Sequence, residues 1–163
     1  MIVRKSRAEI EKMRLAGQVV ADVHKMLQDI VVPGVTTGEL DKKAETLIRS
    51  RGADPTFKGY KVGREVFPAS LCVSVNEEIV HGIPGSRVLQ EGDLLSVDCG
   101  ATLDGYVGDS AISLAVGRVS QEIEELLERT RASLYAGIDM ARSGNRIGDI
   151  GHAVSASVAP YGY

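Results

Sequence analysis

Disulfide scaffolding, a membrane span and a polyanion-binding surface all find no support in this 163-residue sequence. It carries two cysteines, Cys72 and Cys99, too few for a disulfide framework. No stretch of about 18 apolar residues occurs, so no transmembrane helix is predicted. The N-terminus is charged and periodic where a signal peptide would be apolar. Nineteen basic residues against 22 acidic leave a net charge of −3, with the basic residues scattered. That balance makes no electrostatic case for direct nucleic-acid or membrane binding. A reducing, cytoplasmic setting is the expectation. What the chain does have is 44% hydrophobic residues, enough for a core, at a length that predicts one domain.

The stretch Leu94–Leu114, LLSVDCGATLDGYVGDSAISL, organises the rest. Asp104-Gly105 favours a two-residue hairpin loop, where both central positions need φ > 0. Apolar and β-prone residues flank it, predicting two antiparallel strands. With that loop, Leu103 faces Tyr106, Asp98 faces Ala111 and Asp109 faces Gly100. Asp98 and Asp109 then lie diagonally on one face, their backbones roughly 7–8 Å apart. Aspartate is depleted in strands, and an unpaired buried carboxylate is costly. Two convergent carboxylates share a proton, meet cations or bind metal. The competing reading is a pair of solvated edge-strand aspartates. Gly100 and Gly108 are expected to leave space around them.

Along the chain, Ser6-Arg7-Ala8-Glu9 is a capping-box pattern, and Ile10, Met13, Ala16, Val20, Val23, Leu27 and Ile30 recur at helical spacing. They predict a helix over 7–30 that buries these positions and leaves His24 on the surface. Thr36-Thr37-Gly38-Glu39 starts a second helix, closed by Gly52 at its C′ position. Pro55–Phe67 reads as a Gly-rich loop and Leu71–Val75 as a strand. His81, between Val80 and Gly82 in NEEIVHGIP, sits on a shaped loop edge. It reads as a catalytic or substrate-binding residue, against a structural turn histidine. Ser120 is a candidate N-cap for a long helix to about Ala141 with Ile123, Leu126, Leu127, Thr130, Leu134 and Ile138 inward. A weaker helix follows over about 146–159.

Helix, glycine turn, helix occurs twice at an offset of 110 positions: Gly34 maps to Gly144, Gly38 to Gly148, Leu40 to Ile150, Ala44 to Val154 and Gly52 to Gly162. Residues 1–117 read as a first α/β repeat and 118–163 as the helices of a second, whose strands would follow. The expectation is an incomplete α/β domain with one flank of its sheet open and apolar.

VNEEIVHGIP together with EGDLLSVDCGATLDGYVGDSA resembles the type I methionine aminopeptidases, and the likeness runs the length of the chain. The resemblance implies an α/β (α+β) pita-bread fold, two pseudo-symmetric halves around an antiparallel sheet, and removal of the initiator methionine from nascent chains. It implies two divalent metal ions (Co, Mn, Fe or Zn), with Asp98 and Asp109 as two of five protein ligands. His81 matches the histidine that contacts substrate near the scissile amide. Cys72 and Tyr60 match residues of the methionine pocket, joined by Phe67 and Phe57 at positions often held by tyrosine and cysteine. The other three ligands, a histidine and two glutamates, lie in segments that this sequence does not contain. His152 is not expected to replace one of them. The chain therefore resembles the first two thirds of such an enzyme and by itself is expected to have little or no peptidase activity. The alternative is a non-catalytic pita-bread fragment that binds or self-associates through the open flank. A proline dipeptidase is disfavoured by HGIP with Cys72.

Overall fold

A computed structural model describes residues 3–63 and 65–163, in two compact units, Met1–Arg118 and Val119–Tyr163. The first opens with α1 (Arg7–Ile30) and α2 (Thr37–Ser50). Both start at reciprocal capping boxes. Ser6 Oγ accepts from Glu9 N–H (3.3 Å) while Glu9 Oε2 accepts from Ser6 N–H (2.7 Å), and Thr36 and Glu39 repeat the exchange. These bonds satisfy N–H groups that the helix cannot, and they hold the Glu9 and Glu39 carboxyls below the usual carboxylate range.

Four strands form the main sheet: β1 (Asp54–Pro55), β4 (Leu71–Val75), β5 (Leu94–Leu103) and β6 (Tyr106–Ala115), all antiparallel. The central β5 pairs with β1 and β4 on one edge and with β6 on the other. The β5–β6 register is the one that the Asp104-Gly105 loop demands, both residues having positive φ. One face of the sheet presents Leu95, Val97, Cys99 and Ala101 to α1 and α2. With Val20, Val23, Leu27, Leu40 and Ile48 they make a closed core.

β4 is a protected edge. Its three outward N–H groups each meet a local acceptor: Leu71 donates to Asp41 Oδ1 (2.8 Å), Val73 to the Gly82 carbonyl (2.8 Å) and Val75 to Glu78 Oε2 (2.8 Å). β6 pairs with β5 alone among the described residues, so its far edge is the open one.

Several expectations are corrected. Pro55–Phe67 is not a plain loop, although Arg64 within it lies outside the described residues. Phe57-Lys58-Gly59-Tyr60 turns with Gly59 at φ +87°, closed by Tyr60 N–H donating to the Phe57 carbonyl (3.0 Å). Gly59 and Tyr60 then oppose Phe67 in a glycine bulge (Gly59 N–H to Phe67 O, 2.9 Å; Phe67 N–H to Tyr60 O, 2.8 Å). The bulge leads into a small hairpin, β2 (Lys61–Val62) and β3 (Glu65–Val66). Gly108 does not make room for the carboxylates. It lies on the opposite face, where a Cβ would stand 2.6 Å from the Ala16 and Gly17 backbone, so it lets α1 cross close over β6. His24, expected on the surface, is 8% exposed, because its helix position falls on the sheet-facing stripe beside β6. Burial holds its imidazole below the ordinary histidine value. Ile10 and Met13 are exposed rather than inward. That end of α1 lies near the hairpin tip, where Tyr106 donates to Glu9 (3.3 Å).

The second unit holds α3 (Gln121–Met140) and α4 (Ile147–Val158), followed by a 3-10 turn, Ala159–Tyr161. Ser120 caps α3 as expected, its Oγ accepting from Ile123 N–H (3.4 Å). The inward face of α3 follows the large-residue stripe only at its start, where Ile123, Leu126 and Leu127 are half-buried. Leu134 and Ile138 are exposed, and Ser133 and Gly137 are buried, because Val154 of α4 packs against Gly137 with no room for a Cβ. Arg129 stacks on Tyr161, 3.9 Å from the ring centroid. Boundaries recur at the repeat offset: α1 and α3 end at Ile30 and Met140, and α2 and α4 begin at Thr37 and Ile147. Gly34 and Gly144 share φ values of 96° and 97°.

Candidate functional site

The sheet face opposite the core carries the polar residues. Strand alternation puts Cys72, Asp98 and Ala111 in one row across β4, β5 and β6. Ser74, Ser96 and Ser113 form the next row, and Gly100 with Asp109 the row on the other side. Asp98 and Asp109 are diagonal, as the register requires, and close enough for the charge of one to act on the other. Burial pushes the Asp98 carboxyl above the usual carboxylate range, and the Asp109 charge pushes it further; the His81 imidazole nearby works the other way. The same surroundings push the Cys72 thiol up to about 11, burial leading and the two carboxylates adding. Cys72 is therefore a neutral, small, apolar wall at neutral pH.

His81 reaches this cluster from a shaped loop. Its φ is +61°, a left-handed value rare outside glycine, and Gly82 is pressed against β4. A Cβ on Gly82 would fall inside the Val73 carbonyl oxygen's contact shell. Phe57 belongs to the same face: a Cβ on Gly100 would stand 2.8 Å from the Phe57 ring. The ring thus lies over the cross-strand neighbour of Asp109. Tyr60 and Phe67 are brought together by the bulge, Phe67 half-buried and Tyr60 64% exposed. His152 is on the exposed side of α4.

The donor chemistry suits a divalent cation in part. Two convergent carboxylates, one already disfavoured as a free anion by the other, are relieved by a cation between them. Among the described residues, no group of three or more His, Cys, Asp or Glu side chains stands together as a ligand cluster. Asp98 and Asp109 fit as two members of a larger ligand set. Sequence reasoning missed the serine row and Asp41, which accepts from both Ser70 (2.9 Å) and Leu71 (2.8 Å). The period-two pattern of Leu71–Val75 against β5 held the signal for Ser74. Nothing local in α2 marked Asp41.

Known proteins resemble this chain along nearly its whole length. The model of metallopeptidase family M24 matches residues 11–163. The chain is 48% identical to a methionine aminopeptidase of Clostridium acetobutylicum over 100% of its own length and 64% of that protein's. It is 49% identical to methionine aminopeptidase 1 of Bacillus subtilis over 97% of its length and 62% of that protein's. The crystal structure of methionine aminopeptidase from Rickettsia prowazekii superposes with a TM-score of 0.95 at 34% identity, covering 100% of this chain and 64% of that one. The chain thus spans less than two thirds of each of these three relatives, and over that span its fold is the pita-bread α/β arrangement of helix pairs and antiparallel sheet. On the family match and these identities, the chain is a member of metallopeptidase family M24.

Proposed function

We propose that these residues serve a metal-dependent methionine aminopeptidase in the cytoplasm, acting on the N-terminal methionine of peptides and nascent chains. The observation that carries the reading is the meeting of Asp98 and Asp109 on one sheet face beside His81. Asp98 and Asp109 would hold two divalent ions together with further ligands. The chemistry such ions supply is polarisation of the scissile carbonyl and acidification of a water near neutral pH. His81 donates a hydrogen bond at the scissile amide from a loop whose backbone is fixed before substrate arrives. Cys72, Phe57, Tyr60 and Phe67 wall the side-chain pocket, where an unbranched thioether meets a neutral thiol and aromatic rings. Oxygen ligation by two carboxylates suits Co, Mn, Fe or Zn alike, so the carboxylates do not select the metal.

The enzymatic reading is favoured over a self-associating module, whose only support is the open edge of β6. Binding of Mn²⁺ or Co²⁺ by calorimetry, with methionine release from a Met-Ala-Ser peptide on the same samples, tests it. Ion binding lost in Asp98→Asn and Asp109→Asn is the expected result. Any turnover is expected to vanish in Asp109→Asn. Wild-type binding no stronger than that of the two variants would overturn the assignment. A metal-indifferent, concentration-dependent oligomer in its place would favour the module.

A further inference from the structure

The segment His81–Arg87 is clamped at two ends. At the far end Thr37 Oγ1 accepts from Gly85 N–H (2.9 Å), Gly38 N–H donates to the Gly85 carbonyl (2.8 Å) and Thr37 N–H to the Arg87 carbonyl (3.0 Å). At the near end two bonds hold Gly82 to β4: Val73 N–H donates to the Gly82 carbonyl (2.8 Å), and Gly82 N–H donates to Ser74 Oγ (3.2 Å). These two bonds act on different peptide planes. The Gly82 carbonyl belongs to the peptide that follows Gly82. The Gly82 N–H belongs to the peptide that joins it to His81, and the direction of that N–H is set by the ψ of His81. His81 already has a φ of +61°, which an L-residue keeps only where its surroundings impose it. Ser74 is 4% exposed and sits beside Cys72 and Asp98 on the site face, its side chain fixed by burial.

We propose that Ser74 is a positioning residue, whose hydroxyl holds the His81–Gly82 peptide and so keeps the imidazole in place near Asp98. Its catalytic consequence rests on the reading of His81 given under Proposed function; the positioning itself does not.

NMR of the whole chain tests this with Ser74→Ala, Ser74→Thr, which keeps the hydroxyl, and Ser96→Ala as a control on the same face. In Ser74→Ala, Gly82 amide exchange is expected to rise about tenfold, the worth of one hydrogen bond. Exchange at Val73 and Val97 is expected to stay unchanged. Asp98→Asn is expected to shift the His81 ring resonance in the parent chain, and that response is expected to be much smaller when Ser74→Ala is present. Ser74→Thr is expected to restore both signals and Ser96→Ala to leave both alone. Unchanged Gly82 exchange and an unchanged His81 response in Ser74→Ala would overturn the proposal. So would loss of protection along the whole of β4, since the hydroxyl would then hold the strand and not the loop. Mn²⁺ binding is measured on the same samples. The NMR signature with ion binding no stronger than in Asp98→Asn and Asp109→Asn would remove the enzymatic reading and leave the positioning role standing.

Discussion

Two glycines at one crossing are expected to respond to the same substitution with opposite signs. At Gly108 a Cβ would lie 2.6 Å from Ala16 C, Ala16 O and Gly17 N. All three are helix backbone atoms, which cannot swing aside as a side chain would. Ordinary contact at about 3.5 Å requires α1 to lift by about 1 Å, and a gap of that size forfeits a quarter to a half of each dispersion contact it opens. Val20, Val23 and Leu27 are the core residues that lose most, since all three are at most 2% exposed beneath the helix. Gly108→Ala is therefore expected to cost about 2–3 kcal/mol, the upper part of the overpacking range. Gly17 lies in the same crossing, yet a Cβ there meets nothing within 4 Å. Gly17→Ala is expected to stabilise by about 0.5–1 kcal/mol through helix propensity. The assay is urea unfolding followed by circular dichroism, because the chain has no tryptophan to report by fluorescence. A Gly108→Ala midpoint within error of the parent, or a Gly17→Ala loss larger than that of Gly108→Ala, would refute the close α1–β6 crossing.

Asp98→Asn is expected to stabilise the metal-free chain at neutral pH by about 0.5–1 kcal/mol, the scale of a like-charge contact across a sheet. The Asp98 carboxyl is raised on folding, so its ionised form opposes the fold above that pKa, and the penalty disappears as pH falls through it toward the unfolded value near 3.8. The gain in the variant should accordingly be present at pH 7 and absent at about pH 3, read from urea midpoints across pH; a gain that grows in acid would contradict the assignment. Asp41→Ala is expected to cost about 2–4 kcal/mol, because two buried N–H groups, of Ser70 and Leu71, lose their shared acceptor. Amide exchange at Leu71 should rise with that loss, and an unaltered exchange rate would show another acceptor in place.

Local chemistry made much of this legible in the sequence. The capping boxes at Ser6 and Thr36, the Asp104-Gly105 turn and the period-two strands are written in neighbouring residues, and the turn alone carries the Asp98–Asp109 register. Legibility ended where a long-range contact decides. His24 lies on a stripe that reads as helix surface until β6 covers it, and Gly108 reads as free space until α1 fills it. Gly137 in α3 is a buried contact because Val154 packs there, while the larger Leu134 and Ile138 are exposed. The hairpin between Tyr60 and Phe67 depends on a bulge at Gly59, which pattern alone does not separate from a flexible glycine.

The α1–β6 crossing has a consequence in time. Ile30 ends the helix and Tyr106 begins the strand that covers it, about 76 positions later. At about 5–20 residues per second, a ribosome takes roughly 4–15 s to make that interval. Until β4 and β5 are made, α1 has its capping box and its helix propensity but only α2 to bury its stripe against, and β6 completes the cover. Val20, Val23 and Leu27 are then exposed for longer than a small domain of this kind needs to collapse. The stripe of α1 is thus completed late, and β6 is the last element of the first unit to close over it.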